Sequence, residues 1–355
     1  MSPRPSGSNL RRFAGSAVPL VPAFRSFVLL AIAVAGASSA RSQSANEISR
    51  EVKEVFARSA KAVVKIRAVD EHGKLSGTGF FVDPAGTLYT AFSVGADADN
   101  FTVEYDGKEL PARQILADRR SGLAMLKVDD VTTPSLPLGR SDELEVATPV
   151  LTVGFPLDLP QTPSFGMLAG FDRKFLGRYL STTHLRVNLP TQRGEAGAPV
   201  LNFKGEVVGI LVSSVDNGSA CYALPINAAK KIHSDFVRFG EARHGWVGIN
   251  VAEAPTAIEG SRAQFTDIMP GTPAADCGAQ TGDILLQVGK TPVHEPEDVL
   301  DASFFITAGD TVPVTVLRGT EKLTFQVEAS FHPAAQRPAV IASPLSIRAG
   351  LDRTP

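Results

Sequence analysis

The chain is arranged around one stretch, which reads Thr191-Gln192-Arg193-Gly194-Glu195-Ala196-Gly197-Ala198-Pro199-Val200-Leu201-Asn202. Gly194 and Gly197 lie on either side of Ala196, and a short apolar run at residues 199–201 ends at a turn. Because glycine tolerates φ values that bulkier residues resist, such a loop lets several backbone N–H groups converge on one point. The sequence therefore predicts a loop with the geometry of an oxyanion hole, a set of donors that stabilises a developing negative charge.

The length and composition indicate a globular protein. With 355 residues the chain can hold two domains, at roughly 100–200 residues for each. Hydrophobic residues make up 43% of the chain and charged residues 20%. This balance allows a sizeable core and argues against a disordered chain.

The first 40 residues have the order of a secretory signal peptide. They carry Arg4, Arg11, Arg12 and Arg25 but no acidic residue, then the apolar run 27–36, and then the small residues Ala37-Ser38-Ser39-Ala40. This order predicts export to the periplasm or the extracellular space, with cleavage after Ala40. An uncleaved membrane anchor is the alternative, but the run is well short of the ~20 residues that span a bilayer.

Charge and cysteine content exclude some classes of partner. Cleavage would remove four of the 35 basic residues and none of the 37 acidic ones, so the formal net charge would change from −2 to about −6. No basic patch for nucleic acid would remain. The spacing of Cys221 and Cys277 does not require a disulfide, and we interpret both as small buried hydrophobes. Since no metal-ligand spacing occurs, we expect neither a metal nor a cofactor.

Short predicted strands dominate the chain from residue 62 to residue 224. A capping box at residues 44–47 and apolar residues at helical spacing predict one amphipathic helix before them. The strands are expected at 62–68, 78–82, 88–91, 101–105, 109–115, 123–128, 149–154, 185–189, 207–214 and 221–224. Many short strands separated by turns indicate an all-β barrel or sandwich. A helix at 227–239, which stops at Gly240, closes this domain.

A second pattern begins with Gly245-Trp246-Val247-Gly248-Ile249-Asn250-Val251. It continues with Pro270-Gly271-Thr272-Pro273-Ala274-Ala275 and Gly282-Asp283-Ile284-Leu285, followed by a predicted helix at 297–305 and a hairpin at 312–327. Residues 332–355 contain prolines and no periodicity, and are interpreted as a mobile C-terminal tail.

Several of these motifs fall in the order of one protein family. They are Gly77-Thr78-Gly79-Phe80, Leu136-Pro137-Leu138-Gly139-Arg140-Ser141-Asp142, Val153-Gly154-Phe155-Pro156, Gly205-Glu206-Val207-Val208-Gly209-Ile210 and the run 270–292. Together they resemble the HtrA/Deg proteases. The resemblance implies a mostly β protein, with a trypsin-like double β-barrel at 41–241 and a smaller α+β PDZ domain at 242–331, after the signal peptide at 1–40.

The catalytic positions depart from the family pattern. Where the family has Gly-Asn-Ser-Gly-Gly, the serine position is Ala196. The histidine of Thr-Asn-Asn-His-Val corresponds to Ser93, and the aspartate of Thr-Asp-Leu-Ala corresponds to Gly122. The resemblance therefore implies a pseudoprotease that lacks all three triad residues. Gly194, Glu195 and Gly197 would remain as a vestigial oxyanion loop, in which the Glu195 carboxylate is expected to oppose a negative charge.

Two alternatives stay open at this point. In a rewired protease, His184 is the best candidate base, with Ser93, Ser181 or Ser213 as the nucleophile. Family members also form trimers through their protease domains, so the chain could be a homotrimer or a regulatory subunit of active paralogues. A lone histidine or serine in a β protein is far more often an ordinary polar residue, which favours the pseudoprotease.

The second domain implies a peptide site. In PDZ domains a peptide C-terminus adds as a strand to a sheet edge, and loop N–H groups hold its carboxylate. By resemblance the loop is Trp246-Val247-Gly248-Ile249, with Asn250 and Val251 continuing the strand. Val299, Leu300, Ser303 and Phe304 of the predicted helix would form the facing wall. The expected partners are peptide C-termini or unfolded proteins.

Overall fold

The computed structural model describes residues 46–332, except 71–72, 95, 97, 99, 176–177, 216–217 and 219. Contacts divide the chain into two units, Met1–Lys53 and Glu54–Pro355. The described part of the first unit, residues 46–53, is helical, and this helix (α1) continues to residue 59. The predicted signal peptide and residues 333–355 of the predicted tail lie outside the described residues.

Six antiparallel strands close into a first barrel. They are β1 (Val63–Asp70), β2 (Gly73–Phe81), β3 (Thr87–Ala91), β4 (Asn100–Tyr105), β5 (Lys108–Asp118) and β6 (Leu123–Lys127). The closure order is β1-β2-β3-β6-β5-β4. Every residue of β3 is buried, because this strand runs through the centre of the domain, and Phe81, Leu88 and Leu126 belong to the barrel core.

A second barrel of six strands follows. It contains β7 (Pro149–Gly154), β8 (Thr162–Phe175), β9 (Arg178–Val187), β10 (Pro199–Leu201), β11 (Val207–Val215) and β12 (Ala220–Pro225), in the closure order β10-β11-β12-β9-β8-β7. Its core includes Val150, Leu168 and Val200. Helix α2 (Ile226–Phe239) then ends at Gly240 in the left-handed conformation, as the sequence predicts.

The strand predictions are confirmed except at β10, which the predicted set leaves out, and at the β8–β9 hairpin. Sequence reasoning leaves out β8 and starts the next strand at residue 185, whereas β9 begins at Arg178. Phe165, Met167 and Phe171 of β8 are largely exposed, so these three apolar residues point away from the core, whereas Leu168 of the same strand is buried in it. An apolar pattern on the solvent face carries no ordinary core signal.

The C-terminal part forms a smaller α+β fold. Its elements are β13 (Gly245–Trp246), β14 (Ile249–Ile258), β15 (Ser261–Ile268), α3 (Pro273–Asp276), β16 (Ile284–Val288), β17 (Thr291–Pro292), α4 (Asp298–Phe304), β18 (Thr311–Arg318), β19 (Glu321–Glu328) and β20 (Ser330–Phe331). The sheet runs β14-β15-β16-β18-β19, with β17 paired to β16, and β13 pairs with β20. The helix and the hairpin predicted here are both confirmed.

Both cysteines are free. Cys221 is buried, as predicted, while Cys277 is only half-buried and its thiol lies 3.1 Å from the Ala274 carbonyl oxygen. Within the described part of the chain, no helix is long and apolar enough to cross a membrane.

Candidate functional site

An open cleft of about 1350 Å³ lies against the 191–196 loop. Both barrels contribute to its wall: Ser93 follows β3, and Ala196 precedes β10. Charged side chains of both signs, among them Arg67 and Glu109, also line it. The cleft exceeds the ~300–1000 Å³ of a typical small-molecule pocket, so it has room for a polypeptide segment.

Two of the three predicted triad positions line this cleft, and the third, Gly122, lies beside one of its lining residues. Ser93 and Ala196 line it, and the Phe92 N–H donates to the Gly122 carbonyl at 2.6 Å, which joins the two turns of the first barrel. Val212 lines the cleft and packs in the same apolar cluster as Ala196. Its Cγ1 would lie 3.6 Å from a Cβ at position 122. An apolar side chain thus lies next to position 122.

The predicted oxyanion loop has glycine at two positions with positive φ. Gly194 and Gly197 have φ values of +100° and +86°. A Cβ on Gly197 would lie 2.2 Å from the Thr78 carbonyl oxygen, so only glycine fits this position. Among the described residues, no acceptor takes the N–H of Gly194 or of Ala196. Two donors are therefore available for a carbonyl oxygen in the cleft.

Strand β2 and the segment before β8 hold this loop in place. The Thr78 N–H donates to the Ala196 carbonyl at 2.9 Å, and the Thr78 hydroxyl donates to the Gly194 carbonyl at 2.7 Å. The Leu157 N–H donates to the Arg193 carbonyl at 2.7 Å. Because these three carbonyl groups are occupied by protein donors, the loop conformation does not depend on a catalytic serine.

Glu195 is turned into the protein. Its side chain is 2% exposed, and Oε2 accepts the Gln192 N–H at 2.7 Å. Oε1 lies beside Gly154 and has no hydrogen-bond partner among the described residues. Burial raises the pKa of the Glu195 carboxyl, because it disfavours the charged form. The structure therefore corrects the expectation that this carboxylate opposes a charge in the oxyanion hole.

Cys221 lines the cleft, but its thiol is not activated. Burial, with a contribution from Glu195, raises the pKa of Cys221 to about 12. The thiolate is the nucleophilic form of cysteine, and a pKa this high leaves almost none of it at neutral pH. Cys221 is therefore no substitute for the missing hydroxyl.

The histidines that the structure describes lie away from the cleft wall. His184, the predicted alternative base, is buried on β9, where Nδ1 lies 2.8 Å from the Thr182 carbonyl oxygen. Burial lowers its pKa. His233 contacts the Tyr89 hydroxyl, and His72 lies outside the described residues. None of the described histidines lines the cleft, so none of them is placed to act as the base of a rewired active site.

The predicted peptide loop connects β13 to β14. The Val247 carbonyl accepts the Ala274 N–H at 2.9 Å, whereas the N–H groups of Val247 and Gly248 donate to no acceptor in the described part of the chain. Gly248 has φ +78°, and a Cβ there would lie 2.3 Å from the Thr272 Cβ. The glycine is thus required by packing, and two donors remain available to a ligand.

The strand after this loop has a free edge. β14 pairs with β15 on one side, and no described strand pairs with its other side. Ile249 and Val251 are half-buried against the core of this domain, while Asn250 between them is exposed. A free edge with this alternation is the arrangement expected for a strand to which a peptide adds.

The structure corrects the prediction for Phe304 and leaves Leu300 as a candidate. Phe304 is 0% exposed, and its ring lies 5.5 Å from the His244 ring, where Lys231 also approaches it. Because this side chain is fully buried by these contacts, a ligand cannot reach it. Leu300 and Val299 on the same helix are half-buried, so they can still form part of a groove wall.

Helix α4 is fastened to the second barrel through its acidic residues. Asp301 accepts hydrogen bonds from Thr182 and Thr183 on β9, the former at 2.6 Å. Arg173 on β8 pairs with Asp298 at 2.7 Å and also contacts Asp301 at 3.4 Å. Helix α4, the predicted wall of the peptide site, is therefore tied to the β8–β9 hairpin, and sequence reasoning finds no signal for this because the hairpin itself is missed.

A buried polar cluster connects the linker to the first barrel. His244 Nε2 lies 3.0 Å from Asp118 Oδ1, and the Ser121 N–H donates to Asp118 Oδ2 at 3.0 Å. Burial alone would raise the pKa of Asp118, but the bonds from His244 and Ser121 lower it. Lys231 and Asp235 of α2 form a second buried pair at 2.8 Å. Lys231 also donates to the Arg243 carbonyl at 2.7 Å, and Asp235 accepts the Arg243 N–H at 3.0 Å. The linker, residues 240–244, is therefore held by both the first barrel and α2.

A metal centre is not formed in the part of the chain that the structure describes, where no cluster of three or more histidine, cysteine, aspartate or glutamate side chains is suitable for an ion.

Comparisons with known proteins agree with this architecture. The model of the trypsin-like peptidase domain matches residues 77–210, and the model of the PDZ domain matches residues 245–329. A Rhizobium meliloti protein named "Probable periplasmic serine endoprotease DegP-like" is 30% identical over 280 residues, which cover 75% of this chain and 55% of that protein. The serine endoprotease DegS of Salmonella typhimurium is 29% identical over 303 residues, covering 78% of this chain and 85% of DegS. The chain thus spans little more than half the length of the DegP-like relatives.

Solved structures share the fold. The HtrA-type protease AlgW with a tripeptide has a TM-score of 0.69 at 23% identity, covering 79% of this chain and 97% of that one. The serine endoprotease from Yersinia pestis has a TM-score of 0.60 at 25% identity, covering 79% of this chain and 98% of that one.

Proposed function

Because the chain belongs to the HtrA family, in which a trypsin-like domain precedes a PDZ domain, we propose that it is a non-catalytic member that binds peptides or unfolded polypeptides. Binding occurs at the loop 246–249 and the adjoining edge of β14. The protein works in an exported compartment, in keeping with the predicted signal peptide and with relatives whose names include the word periplasmic.

The absence of triad chemistry supports the non-catalytic half of the proposal. Serine attack needs a hydroxyl, an imidazole that takes its proton, and a carboxylate that orients the imidazole. At the cleft, Ala196 has no hydroxyl, Gly122 has no side chain and Ser93 cannot act as a base. The two free N–H groups of the loop would give only ~10³–10⁴-fold acceleration over water, which is negligible for peptide hydrolysis.

One observation carries the binding half of the proposal. The N–H groups of Val247 and Gly248 are unpaired among the described residues, and they stand at the start of a strand whose edge is free. Main-chain pairing with β14 supplies affinity, and the two N–H groups hold the terminal carboxylate. Half-buried Ile249 and Val251 favour a small or medium apolar side chain at the peptide end.

Calorimetry with matched peptides tests the binding. We expect a peptide with a free carboxylate to bind more tightly than its amide by about 1.5–3 kcal/mol, the range for hydrogen bonds to a charged group. Equal affinity for the two forms would mean that the loop does not hold a carboxylate.

A pair of variants locates the site. Leu300→Lys places a charge on the half-buried face of α4 and should weaken binding of the free acid. Leu323→Lys is the matched control, because Leu323 is also a half-buried leucine but lies on β19, at the opposite end of the sheet from β14. Equal losses in the two variants would indicate damage to the fold instead of a groove at β14.

A further inference from the structure

The free edge of β14 can pair with a segment of the same chain. Ile249 lies opposite Ile268 and Val251 opposite Phe265, so β15 covers only one side of the strand. Exposed edges that carry apolar residues are templates for pairing with another strand, and proteins usually cover them. The question is which segment covers this one.

The chain leaves the described residues close to the groove. Strand β20 pairs with β13, so that Phe331 lies opposite Gly245 and Ser330 opposite Trp246. The ring of His332 lies 5.2 Å from the ring of Trp246, which opens the peptide loop. Whatever follows His332 is therefore tethered within a few residues of the free edge.

One segment of the following sequence is suited to an added strand. Residues 338–344 read Pro338-Ala339-Val340-Ile341-Ala342-Ser343-Pro344. The β-branched residues Val340 and Ile341 favour strands. Pro344 biases Ser343 towards an extended conformation, because a residue before proline avoids the helical region. The two prolines also limit the run to residues 339–343, five residues with four consecutive apolar side chains.

The tether is long enough. Residues 333–338 connect His332 to the segment, and six residues span at most about 20 Å when fully extended. The part of β14 next to the loop, from Ile249 to Val251, is only about 7 Å long at the usual rise of a strand. The segment can therefore reach the edge even if the tether first turns back.

We propose that residues 339–343 pair with the free edge of β14 and occupy the peptide groove until an external peptide displaces them. The proposal rests on the proposed peptide-binding function of that groove. The alternation of the segment places Ala339 and Ile341 on one face of the added strand, and Val340 and Ala342 on the other. Ile249 and Val251 then receive an apolar cover from the same chain.

Tethering makes even a weak interaction effective. A short flexible tether gives an effective concentration on the order of 1 mM. A segment that would bind with a Kd of ~0.1 mM as a free peptide is then bound about 90% of the time, and a competing peptide binds roughly tenfold more weakly.

Two measurements test the occupant. The probe is a fluorescein-labelled octapeptide that ends in Ser-Ala-Val with a free carboxylate. The full chain is compared with a chain that ends at His332 and with the full-length variant Val340→Asp/Ile341→Asp. We expect both changes to tighten binding about tenfold, and to increase hydrogen exchange at the amides of residues 249–251 by a similar factor. Leu345→Asp/Ile347→Asp, which lies beyond Pro344, is the matched control and should leave both values unchanged.

The outcomes separate the two proposals. Equal exchange at residues 249–251 in the full and shortened chains would overturn the tail proposal. Protection that rises with protein concentration would also overturn it, because a second copy of the chain would then occupy the edge. If the octapeptide and other free-acid peptides bind none of the chains, the proposed function fails, while the exchange measurement still decides whether residues 339–343 cover the edge.

Discussion

The replacement Glu195→Gln should stabilise the protein at neutral pH. Glu195 is almost fully buried, with one carboxylate oxygen that has no partner among the described residues. Leaving a buried acceptor without a hydrogen bond costs about 1–3 kcal/mol, and a charge costs more. Glutamine has nearly the same shape and keeps the acceptor for the Gln192 N–H, but it carries no charge at any pH.

The direction of the pH dependence follows from the raised pKa. An unfolded glutamate titrates near 4.5, and burial raises the pKa of Glu195 in the folded protein. The favourable contribution of the protonated carboxyl is therefore complete below pH 4.5 and is lost as the pH rises through the folded pKa. Relative to wild type, Glu195→Gln should gain about 1–3 kcal/mol near pH 8. The difference should shrink towards zero near pH 4.

Urea unfolding of wild type and variant at several pH values between 4 and 8 measures this difference. Glu295→Gln is the control, because Glu295 is exposed and its replacement should stay within about 0.5 kcal/mol at every pH. A difference between wild type and Glu195→Gln that is independent of pH would refute the reasoning, as would a variant less stable than wild type at pH 8.

Three further predictions concern activity, domain contact and processing. Ala196→Ser should give no cleavage of casein, because none of the described histidines lines the cleft to activate the new hydroxyl; turnover above the wild-type background would contradict the triad assignment. Asp301→Ala should lower the free energy of unfolding by about 1–3 kcal/mol and speed proteolysis at residues 240–245, whereas exposed Asp276→Ala should do neither. Mass spectrometry of exported protein should show a first residue near position 41, and an intact Met1 would favour the anchor.

The sequence predicts the two-part β architecture well because turns and alternating apolar residues are local signals. Strand β7 and helix α2 are found within one residue of their predicted bounds. Strand β8 is missed because Phe165, Met167 and Phe171 point outward, so its apolar pattern does not mark a core face. What fails is the assumption that apolar residues always face inward.

The candidate site is predictable in position but less so in orientation. The order of motifs is enough to bring Ser93 and Ala196 to one cleft, with Gly122 beside its lining residue Val212. The inward turn of Glu195 depends on the space beside Gly154, which lies on another strand. Likewise, the Phe304 side chain is buried against His244 of the linker and does not face a ligand. Both are tertiary contacts between residues far apart in the sequence, which local patterns do not encode.

The intact oxyanion loop is not evidence of catalysis, because its geometry has structural causes. Gly197 is required by the close approach of the Thr78 carbonyl oxygen, and Thr78 also binds the carbonyl groups of Gly194 and Ala196. These bonds join the two barrels whether or not a serine is present. In the proposed pseudoprotease, replacement of the triad residues therefore does not require a change in this backbone frame. A chain of this kind can therefore retain a cleft and two free N–H donors, and with them the ability to hold a polypeptide carbonyl, without the groups that would cut it.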